Sequence, residues 1–528
     1  MKPSKTATQP KTPWLPLFAL AAIAGALRCW RIDSQSLFGD EYFAAFTAIS
    51  HSSLRDFLDF VFHDDPLRGL LYSFCNFSMA RLSTSPVMLH LPYILLGTLS
   101  VYLIFRLGRR MGGQRLGLIA AGLLAVSPLH IDFSREIGFY SPLLALTLLS
   151  IETLLIAVES EGISAFLPFL AVQGVFVHVH LYAHLVMALE FAWVLCFHRK
   201  SLLHFLACWA AMELLYLPWH LYLGGKLLHK NGFDSQNIYG WHPMEYGWGM
   251  LMAFGGTSAM SQHYQGADWL KNARLILALT HMALFAFGLA LLRREQALKR
   301  PDWLLAVGWV PAGFLGILSL DRIFNYFFAP RHTLFLLPFY LLIAAKGVEG
   351  ILALPKGARH LATAALGAIA LLIAPIYQAD VSFLTSKYRV TQNIIQTLRE
   401  TVHAEDALVF NNPNSAVMFL YYYDRGAFVH VLLPGAYKGF GQFRLPEDFW
   451  AFNGQTRHRV FAIDDPALSV EEEPARWSHS PAISQNGLLF YLPGGTRMTD
   501  GEKVPQFFSW MDSQPGGQSR WRMAGRSR

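Results

Sequence analysis

Long apolar blocks recur along this chain at roughly 17 to 25 residues, the length a helix needs to cross the hydrocarbon core of a bilayer. The run LILALTHMALFAFGLALL, residues 275–292, is one example. In lipid, backbone N–H and C=O groups must be satisfied within the segment, so such blocks fold as helices that pack into a bundle. Composition agrees: 53% of the 528 residues are hydrophobic, 15% are charged, and the mean hydropathy is +0.31. These values lie outside the range of water-soluble globular domains.

The formal net charge of +7 does not form one basic stripe with interleaved aromatics, so nucleic acid is not the expected partner. The basic residues stand between apolar blocks, where they read as topology signals. Clusters at Arg106/Arg109/Arg110/Arg115, His198/Arg199/Lys200, Arg293/Arg294/Lys299/Arg300 and Lys346/Lys356/Arg359 are expected on the cytoplasmic side. Lys2, Lys5 and Lys11 precede an apolar stretch from Trp14 to Leu27 that is followed by Arg28, Trp30 and Arg31 instead of a small-residue cleavage site. That pattern favours an uncleaved first span with a cytoplasmic N-terminus. Cys29, Cys75, Cys196 and Cys208 have no metal-site or disulfide-framework spacing.

The expectation is a mainly α, polytopic membrane protein of about eleven spans. They fall near 14–30, 87–106, 116–131, 139–157, 163–179, 183–198, 202–222, 273–292, 302–320, 331–345 and 361–377. Residues 1–377 would form the membrane domain, including outer loops 31–86 and 223–272. From 378 to 514, charged and turn-forming residues return, and alternating patterns such as DALVFN, HRVFAID and GLLFYL read as strands between helices, a soluble α/β domain. The Gly-, Ser- and Arg-rich 515–528 reads as a disordered tail. No internal repeat is visible.

Several polar groups stand where such a fold would place them at the outer ends of spans. Asp40 and Glu41 in GDEYF serve either as acids at a helix N-terminus, favoured by the macrodipole, or as a general base and its neighbour in a cavity at the membrane surface. His63 and Asp64 in FHDDPLRG belong either to a solvated turn or to the same cavity lining. SPLHIDFSREIGFYSP sets Asp132, Arg135, Glu136 and Tyr140 in a short turn between two apolar blocks, which is costly unless they line a wet or protein-filled cavity. His180 and His184 in HVHLYAH have a helical i, i+4 spacing compatible with a metal, with interfacial packing or cavity lining as the other readings. Arg331 and His332 in APRHTLFLLP stand at the outer mouth of a span, against the positive-inside bias. An Arg there either snorkels to the interface or holds a phosphate at lipid depth.

The order of these pieces resembles the GT-C-fold, polyprenyl-phosphate-sugar-dependent glycosyltransferases, in particular the bacterial branch related to aminoarabinose transferases and protein O-mannosyltransferases. GDEYF is similar to that family's first-loop acidic motif, DDPLRGLLY to its HPPLYY stretch, and HLYAH to its YTHY. APRHTLFLLPFYL is similar to PRYLLFLLP, and the run from LHLPYILLGTL to SREIGFY follows the family pattern almost throughout. The resemblance covers about residues 13 to 390.

It implies Asp40 as the catalytic base with Glu41 beside it, Glu136 as a partner from the second outer loop, and Arg331 facing the donor phosphate. Glu136 would orient the acceptor, hold a divalent cation or tune Asp40. It further implies a polyprenyl-phosphate sugar donor, a lipid, glycan or protein acceptor, and a multi-pass protein of a bacterial inner membrane, while alternation of the spans from a cytoplasmic N-terminus puts the C-terminal domain in the periplasm. Departures occur at Asp64, where relatives carry a phosphate-binding Lys or a His, at His332 in place of Tyr, and at Gly138 and Phe139. A lipid-linked glycan polymerase or ligase is the neighbouring alternative. A transporter fits less well, because its ionisable residues would collect near the midplane on broken, repeated helices.

Overall fold

A computed structural model describes residues 13–385 except 36, 38, 52, 64–68, 161, 230–241, 257–267 and 325–328, together with residue 392 and four strands of the C-terminal region. Besides a helical run over residues 373–385, sixteen α-helices follow in order among the described residues. They are α1 Trp14–Cys29, α2 Gly39–Ser50, α3 Leu54–His63, α4 Leu70–Leu82, α5 Pro86–Gly112, α6 Gln114–Ala125, α7 Pro128–Ser134 and α8 Tyr140–Glu159. Then come α9 Leu167–Val177, α10 Tyr182–Phe197, α11 Leu202–His229, α12 Pro243–Gly255, α13 Asp268–Arg294, α14 Pro301–Phe324, α15 Leu337–Leu352 and α16 Lys356–Ala370.

Among the described residues, eight helical segments are long and apolar enough to span a bilayer. A ninth arises if the pair α6 and α7 counts as one span. The eleven blocks of the sequence are reached only by adding Ile163–Val177 and Tyr182–Phe197, which are apolar but short. The block at 116–131 is not continuous: α6 and α7 meet at 63°. The cause is local, because Pro128 has no N–H for the helix ladder, and Ser127 before it takes an extended conformation at φ −64° and ψ 117°. The last span also differs from expectation, running over Lys356–Thr385, beyond Tyr377.

Contacts divide the chain into two compact units. The first comprises Met1–Ile32, Leu67–Phe74 and His90–Asp380, and it contains most of the bundle. Its innermost element is α15, where Leu337, Phe339, Tyr340, Leu342, Ile343 and Ala345 are all fully buried. Glycines let α15 meet α13 closely: a Cβ on Gly288 would lie within 1.9 Å of the Ile343 carbonyl oxygen. Small residues at such crossings are how helices gain packing in lipid, where hydrophobic burial gives no advantage. Large apolar side chains instead face outward on α1 and α11, among them Leu15, Phe18, Leu214 and Leu221. Gly113, at φ +93°, makes the one-residue hairpin between α5 and α6, a conformation L residues rarely take.

Two ends of this unit have opposite character. At one, Arg110 pairs with Glu159, Arg106 with Glu152 at 2.6 Å, Lys346 with Glu295 at 2.9 Å, and Arg300 donates to the Met111 carbonyl at 2.9 Å. Three of the basic clusters read from the sequence therefore share one end. The other end gathers the loops at 135–139 and 178–181 and the 3₁₀ segment Pro330–Leu336.

The second unit comprises Asp33–Pro66, Cys75–Leu89 and Val381–Arg528. Its helix α3 is amphipathic: Phe57, Phe60 and Val61 are buried, and Phe57 stacks on Phe77 at 5.0 Å. Ser53 caps α3, its hydroxyl accepting from the Asp56 N–H at 3.1 Å and donating to the Asp56 carboxylate at 2.6 Å. In the C-terminal region, β1 Ala407–Phe410, β2 Val460–Ile463, β3 Leu488–Leu492 and β4 Thr496–Met498 form one sheet in that order. The pairs β1–β2 and β2–β3 are parallel, and β3–β4 is antiparallel. β1, β2 and β3 fall within DALVFN, HRVFAID and GLLFYL. Apart from residue 392, the helices expected with these strands lie outside the described residues.

Candidate functional site

The segment 135–139 follows α7, and its shape is fixed by Arg135. This fully buried guanidinium donates to the carbonyls of Leu27, Arg28 and Trp30 at 3.0, 3.2 and 2.7 Å, and to the Tyr377 hydroxyl at 3.3 Å. Carbonyls at a helix C-terminus have no intrahelical donor, and a cation there also answers the negative end of the macrodipole. Tyr377 closes the arrangement by donating to Leu27 at 2.5 Å. Beneath it, Arg28 reaches the Ala24 carbonyl at 2.8 Å and His130 Nδ1 at 2.7 Å. From the far side, Tyr72 donates its hydroxyl to the Ile137 carbonyl at 3.0 Å. The sequence marks Arg135 as loop polarity, but it pins α1 to the segment carrying Glu136.

Glu136 is half-buried, and its carboxylate folds back over Gly138: a Cβ at 138 would stand 3.3 Å from Oε1. Gly138, one of the departures from the family pattern, leaves the room this side chain occupies.

Around this segment the structure gathers four more of the expected residues. The Phe139 ring lies 4.2 Å from the His180 ring, and Tyr140 lies 6.3 Å from His332. The Arg331 guanidinium sits over the Tyr140 ring at 5.9 Å. Tyr182, which the sequence does not single out, joins them, 4.6 Å from His180 and 6.2 Å from His332. The loop 178–181 is anchored where the Leu71 N–H meets the His178 carbonyl at 2.8 Å. Burial holds the His180 imidazole neutral by pushing its pKa down to about 3. This end of the bundle thus offers a fixed cation, a half-buried carboxylate, neutral imidazole and aromatic faces. Such a set can bind an anionic group and a polar acceptor beside an apolar surface.

His184 points elsewhere. It belongs with Glu213 and His220 of α11, its Nε2 lying 3.5 Å from Glu213. Asp40 and Glu41 stand in the first turn of α2 in the second unit, and Glu41 is buried there at 2% exposure. His63 is the last residue of α3, and Asp64 lies outside the described residues. Sequence reasoning also missed a buried network in which Gln173 donates to Ser150 at 2.6 Å and to Glu190 at 2.8 Å. Isolated polar letters inside apolar blocks were its only trace.

Residues 72–221 match the family of dolichyl-phosphate-mannose-protein mannosyltransferases. No curated protein matches by sequence. Among solved structures, ArnT from Cupriavidus metallidurans in the apo state is 14% identical, aligned over 80% of this chain and 85% of that one, with a TM-score of 0.50. The same protein bound to undecaprenyl phosphate aligns with a TM-score of 0.47 at 15% identity over 77% and 75% of the two chains. The oligosaccharyltransferase of Archaeoglobus fulgidus in complex with Zn and sulfate is 12% identical at a TM-score of 0.47, covering 77% of this chain but only 61% of that one. The chain therefore has the GT-C membrane fold of ArnT, and its segment 72–221 is similar to the dolichyl-phosphate-mannose-protein mannosyltransferases.

Proposed function

We propose that this protein is an integral membrane glycosyltransferase that moves a sugar from a polyprenyl-phosphate carrier to an acceptor hydroxyl on the periplasmic face of a bacterial inner membrane. The observation that carries this reading is the convergence of the Glu136 segment, the His180 loop and Arg331/His332 at one end of a GT-C bundle. That end is opposite the basic clusters. The match of residues 72–221 to a polyprenyl-phosphate-sugar-using family supports the donor class.

In the reaction, the acceptor oxygen attacks the anomeric carbon, and the bond from that carbon to the phosphate oxygen breaks with inversion. Asp40 takes the acceptor's proton, and the polyprenyl phosphate leaves with the bonding electron pair. Arg331 offers fixed positive charge to the departing phosphate, stabilising it where charge develops. Glu136 orients the acceptor by hydrogen bonding. The Asp40 and Arg331 roles rest on the motif resemblance.

The test is transfer of label by purified, detergent-solubilised protein from a radiolabelled polyprenyl-phosphate sugar to a membrane extract. Asp40→Asn and Arg331→Ala should each abolish transfer at unchanged expression, with losses on the order of 100-fold or more. Transfer by Asp40→Asn at the wild-type rate would overturn the mechanism. Use of a diphosphate-linked oligosaccharide in place of the monophosphate would move the assignment to a lipid-linked glycan polymerase or ligase.

A further inference from the structure

Outside that cluster, α10 and α11 bring together two imidazoles and a carboxylate whose ligand atoms all lie within 4.8 Å of one another: His184, Glu213 and His220. We propose that these three residues bind a zinc-class divalent cation, leaving one coordination position open to water or an anion. The site is independent of the glycosyltransferase reading.

The first argument is the orientation of His184. Its Nδ1 lies 3.2 Å from the Leu181 carbonyl oxygen, which can only accept, so Nδ1 carries a proton and, in the neutral ring, Nε2 carries the lone pair. That Nε2 is buried without a hydrogen-bond partner, and what it faces, at 3.5 Å, is a Glu213 carboxylate oxygen. Two lone-pair groups aimed at each other repel, and a cation between them converts that repulsion into two bonds. A ligating imidazole whose second nitrogen is held by a backbone carbonyl is the arrangement that fixes tautomer and ring orientation for a metal.

The second argument is the preparation of the other ligands. Glu213 and His220 are seven residues apart, two helical turns on one face of α11, and His220 Nε2 lies 2.6 Å from Glu213 Oε2. The other oxygen, Oε1, accepts from Trp209 Nε1 at 2.8 Å, one turn earlier, so the carboxylate is oriented with Oε2 toward both imidazoles. Tyr216 packs against both imidazoles, at 5.3 Å from His184 and 4.7 Å from His220. Donors on a tetrahedral zinc sit roughly 3.4 Å apart, given metal–ligand distances near 2.1 Å. The His184–Glu213 separation of 3.5 Å already fits. The His220–Glu213 pair has to open by under ~1 Å, giving up the shared proton as the metal enters.

Two imidazoles and one carboxylate form a donor set that suits Zn²⁺ over Mg²⁺ or Ca²⁺, which prefer all-oxygen shells. Bound there, the ion would tie α10 to α11 next to the loop carrying His178 and His180.

The full chain, purified in detergent, stripped with chelator and dialysed against ZnCl₂, should retain about one equivalent of zinc by elemental analysis. Co²⁺ in its place should give the intense visible absorption of a tetrahedral site. Glu213→Gln and the His184→Ala/His220→Ala pair should weaken binding by at least ~10-fold. They should also abolish the rise in unfolding temperature that zinc gives the wild type. Absence of retained zinc and of the Co²⁺ spectrum in wild-type protein, a measurement that needs no variant to fold, would overturn the proposal in favour of an imidazole–carboxylate ion pair. Unchanged binding in both variants would overturn it as well.

Discussion

Gly138 shows how much one missing methyl group can matter. The Glu136 carboxylate occupies the volume a Cβ at 138 would need, at 3.3 Å from Oε1, tighter than ordinary van der Waals contact. The obstructing atom is the end of a flexible side chain, so Gly138→Ala should cost below ~1 kcal/mol of stability. The carboxylate has to give by a few tenths of an ångström, however, and positional errors of about 1 Å in a reacting geometry cost up to ~100-fold in rate. If Glu136 orients the acceptor, Gly138→Ala should keep the wild-type unfolding temperature in detergent while lowering transfer on the order of 10-fold. Unchanged transfer would remove Glu136 from the reaction. Sequence comparison marks Gly138 only as a departure from the family, and its consequence is visible only with the side chain in place.

At the level of elements, the segment bearing Glu136 is held through the end of α1. Arg135 satisfies three carbonyls there and shares the task with Tyr377 of the last span, so residues far apart in sequence meet on one helix terminus. Arg135→Ala would leave those carbonyls short of donors inside the bundle, and hydrogen bonds to a charged donor are worth about 1.5 to 3 kcal/mol each. The expected loss is on the order of 3 kcal/mol, because the contributions overlap. Arg135→Lys should recover only part of it, since an ammonium cannot reproduce the planar fork of a guanidinium. Thermal unfolding of the purified variants measures both. A Lys variant as stable as wild type would show that charge alone holds α1. The nearby kink between α6 and α7 was written in Ser127–Pro128, yet the surrounding apolar periodicity runs through it and reads as one span.

Across the first unit, what the sequence made legible is what repeats: span-length apolar blocks, basic clusters between them, and motif order. Less legible were features that depend on which helices become neighbours. Glu213 and His220 are single polar letters in an apolar block until α10 brings His184 beside them. Likewise, Arg28 reads as a flank of the first span but is buried on His130. The fold also joins two signals that are separate in sequence. Arg110 with Glu159, Arg300 with Met111, and Lys346 with Glu295 bring basic clusters from distant segments to one end. The Arg135 clamp, Phe139 with His180, and Tyr140 with His332 lie at the other. Positive charge at one end of all these helices predicts that end in the cytoplasm. All four native cysteines are free, so they can be replaced before probes are introduced. Ser160→Cys, exposed just past Glu159, should resist a membrane-impermeant maleimide in intact cells and react after permeabilisation. Asp33→Cys, exposed three residues beyond Trp30, should react in intact cells. The reverse pattern would put Arg331 and Glu136 on the cytoplasmic face, where a periplasmic acceptor could not reach them, and the proposed reaction would have to change sides with them.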